Sequence, residues 1–492
     1  MKYKGNDYNM WDAWYMNVKG RVHGFHLKAQ DLPWNVGHVV TEDLLHFTKC
    51  EDILKPLDEK THPDDCLGKY TGCAYYDEKS GRAYVYYTMR DKNCSEKIGV
   101  AISEDLENFV EYKGNPVLEI DKSIFNEKSK PSGATDCRDM LVIKDEKSGL
   151  YYGYFASMAS IDGKHKGVIG AAVSDDLISW REQRIVYVPR FNGVIEVPDV
   201  FFLDGKWYLT FLTGNRYGAK GDISDTNICA YTLYAVSDSP DGPFEEPCDN
   251  IFICGTYNSG YSCRSVEFEG KRYVLYIENS EYGAALSLPK EITVIDGRLC
   301  PCYADILSKL RTGKALCNCD ASDFEALSTS FAWQTYGGEI QMDGSCISVI
   351  SEEYDCQRFL AKDFAVNSIE AEAKITAYCN ECGFVLRTLD KNGKEVQTYT
   401  FSMNFDFNEL SVYSESCNVL ALTPFMKRKF AFEKERRYHV RVIAGEGQFE
   451  IYIDGVLVLQ GNMLTADSIK PGLFSAKGKA NFDSLSFYEL EK

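Results

Sequence analysis

Three acidic residues sit in surroundings that suit chemistry. Asp12 lies in NMWDAWYMN, between Trp11 and Trp14. Asp139 follows Arg138 in TDCRDMLVI, and Glu196 opens EVPDVFFLDG. Each stands at the entry to an apolar, strand-like run. Cleavage of a glycosidic bond needs one carboxylic acid to protonate the leaving oxygen. It also needs a second carboxylate to attack the sugar carbon or to activate water. A third carboxylate can bind sugar hydroxyls, and flanking indoles offer apolar faces to a sugar ring. Carboxylates held close together raise one another's proton affinity, which supplies an acid near neutral pH. Taken singly, an Asp at a strand entry reads equally well as a turn or cap residue, and Arg138 could simply pair with Asp139 or Asp136.

What would bring these residues together is a repeat. A strand-like run, a glycine turn and an aromatic-rich strand recur at Gly20, Gly81, Gly149, Gly205 and Gly270. Such turns between alternating runs are hairpin signals. A second motif follows four of the five copies: TEDLLHF, SEDLENF, SDDLISW and SDSPDGPF. Each comes after a short apolar strand, carries turn-forming Ser, Thr or Asp, and closes on an aromatic suited to packing between units. The pattern predicts an all-β chain with a five-bladed β-propeller over residues 1–295. Blades would converge on a common axis, so acids from the first, third and fourth would meet in one pocket. A linker follows at 296–319. From 320 to 492 the alternation changes to longer strands, including FEIYIDGVLVLQ, and predicts a second domain, a β-sandwich.

Composition narrows the partners. Lys and Arg number 54 against 73 Asp and Glu, a net charge of -19, which repels nucleic acid and anionic membrane but not a neutral sugar. No apolar run reaches membrane-spanning length. The start, MKYKGNDYNMWDAW, has no apolar stretch of a signal peptide, so a cytoplasmic location is expected, with the 18 cysteines reduced and mostly buried. The pairs Cys300/Cys302, Cys317/Cys319 and Cys379/Cys382 have spacings that fit a structural zinc site poorly. No dinucleotide or phosphate-loop fingerprint is present. No cofactor and no metal are expected. Homo-oligomerisation is left open.

In order along the chain, these segments resemble glycoside hydrolase family thirty-two, the invertases, levanases and inulinases. Asp12 in MWDAW stands where that family has its nucleophile. The run Phe25, His26, Leu27, Lys28, Ala29, Gln30 resembles its His-Leu-Phe-Tyr-Gln stretch. Val36, Gly37, His38 resembles its Trp-Gly-His signature. Arg138-Asp139-Met140 stands for Arg-Asp-Pro, and Glu196-Val197-Pro198-Asp199 for Glu-Cys-Pro-Asp. The Trp-Asp-Ala-Trp segment is also similar to the related levansucrases. The resemblance implies a retaining hydrolase of β-fructofuranosyl linkages in sucrose or short fructo-oligosaccharides. Asp12 would be the nucleophile, Glu196 the acid and base, and Asp139 the stabiliser of the transition state, held by Arg138. Gln30, Trp14, Trp34, Trp11 and His38 would help hold the sugar. Fructosyl transfer, hydrolysis of arabinofuranosides or other glycosides by a related propeller enzyme, and a non-catalytic sugar-binding protein are the alternatives.

Overall fold

The computed structural model describes residues 2–5, 8–28, 34–55, 57, 59–125, 134–191, 193–214, 230–255, 260–280, 283–317, 319–326, 338–360, 364–415 and 424–491. These residues are almost entirely β-structure. Blade 1 consists of β1 (Met10–Val18), β2 (Arg21–Lys28), β3 (Asn35–Thr41) and β4 (Thr48–Lys49). Blade 2 consists of β5 (Gly68–Asp77), β6 (Arg82–Arg90), β7 (Glu96–Ser103) and β8 (Val110–Glu111). Blade 3 consists of β9 (Arg138–Lys144), β10 (Tyr151–Ile161), β11 (Lys164–Ser174) and β12 (Arg181–Tyr187). Blade 4 consists of β13 (Glu196–Leu203), β14 (Lys206–Gly214), β15 (Ala230–Ser237) and β16 (Ile251–Gly255). All are antiparallel meanders.

Local chemistry explains the recurrence. The two-residue turns Lys19-Gly20 and Asp204-Gly205 place both residues at positive φ (54° and 89°, 47° and 80°). That geometry matches the right-handed twist of the flanking strands and suits glycine at the second position. In the second motif, the Thr41, Ser103 and Ser174 hydroxyls each accept the backbone N–H three residues on, at Leu44, Leu106 and Leu177. The aspartate two residues after each hydroxyl accepts two further N–H groups. Each of these three turns is thus satisfied internally. The closing aromatics pack back onto the preceding blade. Phe109 meets Phe25 edge-on at 5.7 Å, Trp180 meets Tyr86 at 6.0 Å and Phe244 meets Tyr154 at 6.4 Å. Phe47 of blade 1 packs instead on the cluster containing Val266, Phe268 and Tyr273.

The expectation of five blades is corrected to four. β17 (Tyr261–Phe268) and β18 (Lys271–Ser280) form the fifth hairpin, but their sheet does not end as a separate blade. β18 pairs with β19 (Gly283–Leu286) through Ile277–Ser280 and with β20 (Lys290–Ile295) through Tyr273 and Val274. β20 pairs with β21 (Arg298–Tyr303), which meets the strand Val456–Asn462 at Cys302↔Val456. Backbone hydrogen bonds therefore run from β17 to the final strand, Ser468–Leu490, in one 18-stranded sheet. Counting hairpins gives five, but a hairpin does not specify where its sheet stops. The Ser/Thr turn motif, present four times, matches the number of blades.

The C-terminal strands enclose a core built around Phe384, Phe401, Val442, Ile451, Phe482 and Phe487, the β-sandwich region expected from sequence. Where β18 and β20 meet the C-terminal strands, charges are fully buried. Lys290 Nζ lies 2.5 Å from Glu450, and Lys2 Nζ lies 2.5 Å from Glu278, with all four side chains no more than 3% exposed. Among the described residues, no helix is long and apolar enough to cross a membrane.

Candidate active site

The first strands of the four blades and β17 carry the same irregularity. Pairing with the neighbouring strand slips by one residue at Trp11/Ala13, Tyr70/Gly72, Arg138/Leu141, Glu196/Asp199 and Tyr261/Arg264. A bulge of this kind re-aims one side chain out of the ladder. The residues at the slips are Asp12, Thr71, Asp139, Val197 and Ser262, and all but Thr71 have positive φ, between 26° and 59°. Holding non-glycine residues there costs on the order of 1–3 kcal/mol each and persists only where the surroundings over-determine it.

The bulges converge. The Thr71 hydroxyl donates to Asp12 Oδ2 and the Ser262 hydroxyl to Oδ1, so one carboxylate is gripped from blade 2 and from β17. Asp139 Oδ2 accepts the N–H of Val197 at 3.0 Å, joining blade 3 to blade 4 next to Glu196. Arg138 is the hub. Its Nε and Nη2 each lie 3.1 Å from Glu196 Oε1, and its Nη1 is 2.8 Å from Asp136 and 3.2 Å from Glu96. Its Nε is 3.8 Å from Asp139. Arg90 donates to the other oxygen of Glu96 and lies 4.0 Å over the Tyr70 ring, on which Trp34 packs at 4.9 Å.

Burial and crowding set the electrostatics. Asp12 is 7% exposed. Burial pushes its carboxyl up to about 6, with the Glu196 charge adding to the rise and the two hydroxyls and Arg264 opposing it. Burial likewise raises Asp139, against Arg138 and with Glu196 and Asp12. Burial works against the charge on Arg138, but Glu96, Glu196, Asp139 and Asp136 more than offset it. Glu196 differs from the other two acids in access, with its side chain 23% exposed.

Asp12, Asp139, Glu196 and Arg138 are therefore brought together from three blades. Trp11 borders them, packed on Tyr261 at 5.1 Å and beside Val197, and Trp34 lies on the Tyr70–Arg90 side. Trp14 and His38 are elsewhere. Trp14 is 1% exposed and packs on Phe25 in the blade 1 core. His38 stacks on Phe25 at 4.8 Å, 3.0 Å from the His23 ring nitrogen, and burial pushes it down to about 3. Gln30 lies outside the described residues. Asp136 pairs with Arg138, as the sequence allowed; Thr71, Ser262, Glu96, Arg90 and Arg264 also shape the site and were not singled out from sequence. The repeat holds a signal for two of them. Thr71 stands ten residues before its hairpin glycine, as Asp139 does, and Ser262 stands eight before, as Asp12 does. Among the described residues, no group of three or more His, Cys, Asp or Glu is placed to hold a metal.

Carboxylates from separate blades around one arginine, with aromatic neighbours, define a site of the kind that cleaves glycosidic bonds. Residues 9–275 match the family described as Glycosyl hydrolases family 32 N-terminal domain, and the chain belongs to that family of glycoside hydrolases. A sucrose-6-phosphate hydrolase of Streptococcus mutans is 26% identical over 321 residues, 59% of this chain and 61% of the relative's length. Among solved structures, a fructofuranosidase from Schwanniomyces occidentalis complexed with fructose aligns with TM-score 0.70 at 13% identity, covering 100% of this chain and 98% of that one. A beta-fructofuranosidase of Bombyx mori aligns with TM-score 0.66 at 16% identity, covering 98% and 91%. At these identities the structures establish likeness of fold.

Proposed function

We propose that this chain is a retaining hydrolase of terminal β-fructofuranosyl linkages in sucrose or short fructo-oligosaccharides. The observation that carries the proposal is the convergence of Asp12, Asp139 and Glu196 on the bulged entries of three blades, with both oxygens of Asp12 held by hydroxyls. Asp12 is the nucleophile: Thr71 and Ser262 fix its orientation, and it is ionised above pH 6. It attacks the anomeric carbon as Glu196 protonates the departing oxygen. A fructosyl–Asp12 ester forms and the glycosidic C–O bond breaks. Glu196 then takes a proton from water as the water displaces Asp12. The greater exposure of Glu196 suits it to exchange protons with leaving group and solvent. Asp139, fixed by Arg138 and the Val197 N–H, binds ring hydroxyls and stabilises positive charge on the sugar. Trp11 and Trp34 supply apolar faces. A cytoplasmic location fits the buried free thiols Cys73, Cys137 and Cys263, and an enzyme there would act on small imported sugars.

The test is fructose release from sucrose, short fructo-oligosaccharides, levan and inulin, with aryl arabinofuranosides and sucrose 6-phosphate alongside and Glu196→Gln as control. Fructose from the short substrates, first released with its β configuration retained, supports the proposal. Turnover of the arabinofuranosides alone discards the substrate, and an inverted first product discards the mechanism.

A further inference from the structure

Beneath the acids lies one more cation with no role in the chemistry above. Arg264, in β17, is 1% exposed. Its Nη1 donates to the carbonyl of Pro198, and its Nη2 to the carbonyls of Asp139, at 2.9 Å, and Gly72, at 3.2 Å. The acceptors lie 66, 125 and 192 residues away in sequence. Each sits at a bulge: Gly72 follows Thr71, Asp139 is itself the bulge residue, and Pro198 follows Val197, two residues past Glu196. Arg264 lies two residues past Ser262, which grips Asp12. One planar guanidinium thus ties the bulges of blades 2, 3 and 4 to β17, a geometry a lysine, with one nitrogen, cannot reproduce.

We propose that Arg264 is a positioning residue for the reaction, a bolt through the axis that sets the spacing between Asp12, Asp139 and Glu196. Misplacing reacting groups by about 1 Å costs on the order of a hundredfold in rate, and three carbonyls on three independent sheets have that much freedom without a shared donor. Arg264 also places a fixed positive charge near Asp12, which Glu196 and Asp139 face with negative charge. Among these neighbours, Arg264 favours the ionised form of Asp12 and Glu196 disfavours it.

The proposal rests on Asp12 as the nucleophile and is tested with Arg264→Lys and Arg264→Met in the full-length chain. Both variants should fold, judged by circular dichroism and a single thermal transition. Both should lose about a hundredfold in kcat, with KM changed less than threefold. The acidic limb of the pH profile should stay in place in Arg264→Lys, which keeps the charge, and move to higher pH in Arg264→Met, which removes it. A substrate-independent readout accompanies these. The midpoint of the pH range over which Asp12→Asn gains its stability advantage over its parent, whose upper end is set by the folded Asp12 carboxyl, should rise in the Arg264→Met background. If the wild-type chain releases no fructose but this midpoint still moves, the substrate assignment fails and the role of Arg264 beneath Asp12 stands. Folded variants with wild-type kcat and an unmoved midpoint would overturn the proposal. So would failure of both variants to fold, which would assign Arg264 to stability alone.

Discussion

Asp12→Asn should stabilise this protein while abolishing its turnover, and the stabilisation should depend on pH. Burial raises the Asp12 carboxyl from 3.8 to about 6, a shift of roughly two units at about 1.4 kcal/mol each, or about 3 kcal/mol. Because the folded value lies above the unfolded one, the fold favours the protonated form. That contribution is complete below about pH 4 and is lost as pH rises through 6, so at pH 7.5 the ionised carboxylate costs the fold about 3 kcal/mol. Asparagine has the same shape and no charge at any pH. Its oxygen can accept one hydroxyl proton, and its amide can donate to the other hydroxyl oxygen, so the Thr71 and Ser262 contacts need not be lost. Thermal unfolding of both proteins between pH 4 and 8 is the assay. Asp12→Asn should melt several degrees higher at pH 7.5, and the curves should merge near pH 4. A variant less stable at pH 7.5, or a difference that ignores pH, would refute the reasoning.

Other perturbations follow from the same structure. Glu196→Gln should lower kcat by about a hundred to ten thousandfold on unactivated substrates. Substrates whose leaving group departs without a proton should recover most of the first step, measured as a burst of that group. Lys290→Met should cost about 3 kcal/mol, because it removes the ion-pair partner of Glu450 where both side chains are no more than 2% exposed and leaves that carboxylate the Tyr452 hydroxyl and the charge of Lys2; the double variant with Glu450→Leu should recover much of that loss in denaturant titrations. Phe109→Ala should cost on the order of 3 kcal/mol, because its ring closes blade 2 onto Phe25 and His38; chemical unfolding measures it.

Much of this was legible because it is local. The hairpin glycines at 20, 81, 149, 205 and 270 occupy turns that need positive φ, and the Ser/Thr-acid motif satisfies its own backbone, so both leave short signatures in sequence. Asp12, Asp139 and Glu196 stood out as a group because each lies at the entry to a repeat's first strand, eight, ten and nine residues before its hairpin glycine. The blade count was not, since the continuation of β18 through β20 and β21 into the C-terminal strands is a matter of long-range pairing, and each of those hairpins looks like any other. Arg264 and Glu96 were invisible for a related reason. Arg264 acts on backbone carbonyls, which every residue has, so nothing in its partners' identities points to it. Glu96 pairs with Arg138 42 residues away, beyond any local pattern. Trp14 shows the converse: an indole near an acid suggests a sugar platform, yet the slip at Asp12 sends the two side chains to different surroundings and leaves the indole inside blade 1.

The central claim is that Asp12 attacks a fructosyl carbon, and the most direct measurement is capture of that bond. Glu196→Gln, lacking the base for the second step, should accumulate a covalent intermediate from a β-fructofuranoside whose leaving group needs no proton. Acid quenching, proteolysis and mass spectrometry should then find one fructosyl unit on the peptide containing Asp12, absent when Asp12→Asn is added. A fructosyl unit on another carboxylate, or rapid turnover with no adduct and an inverted product, would contradict the account.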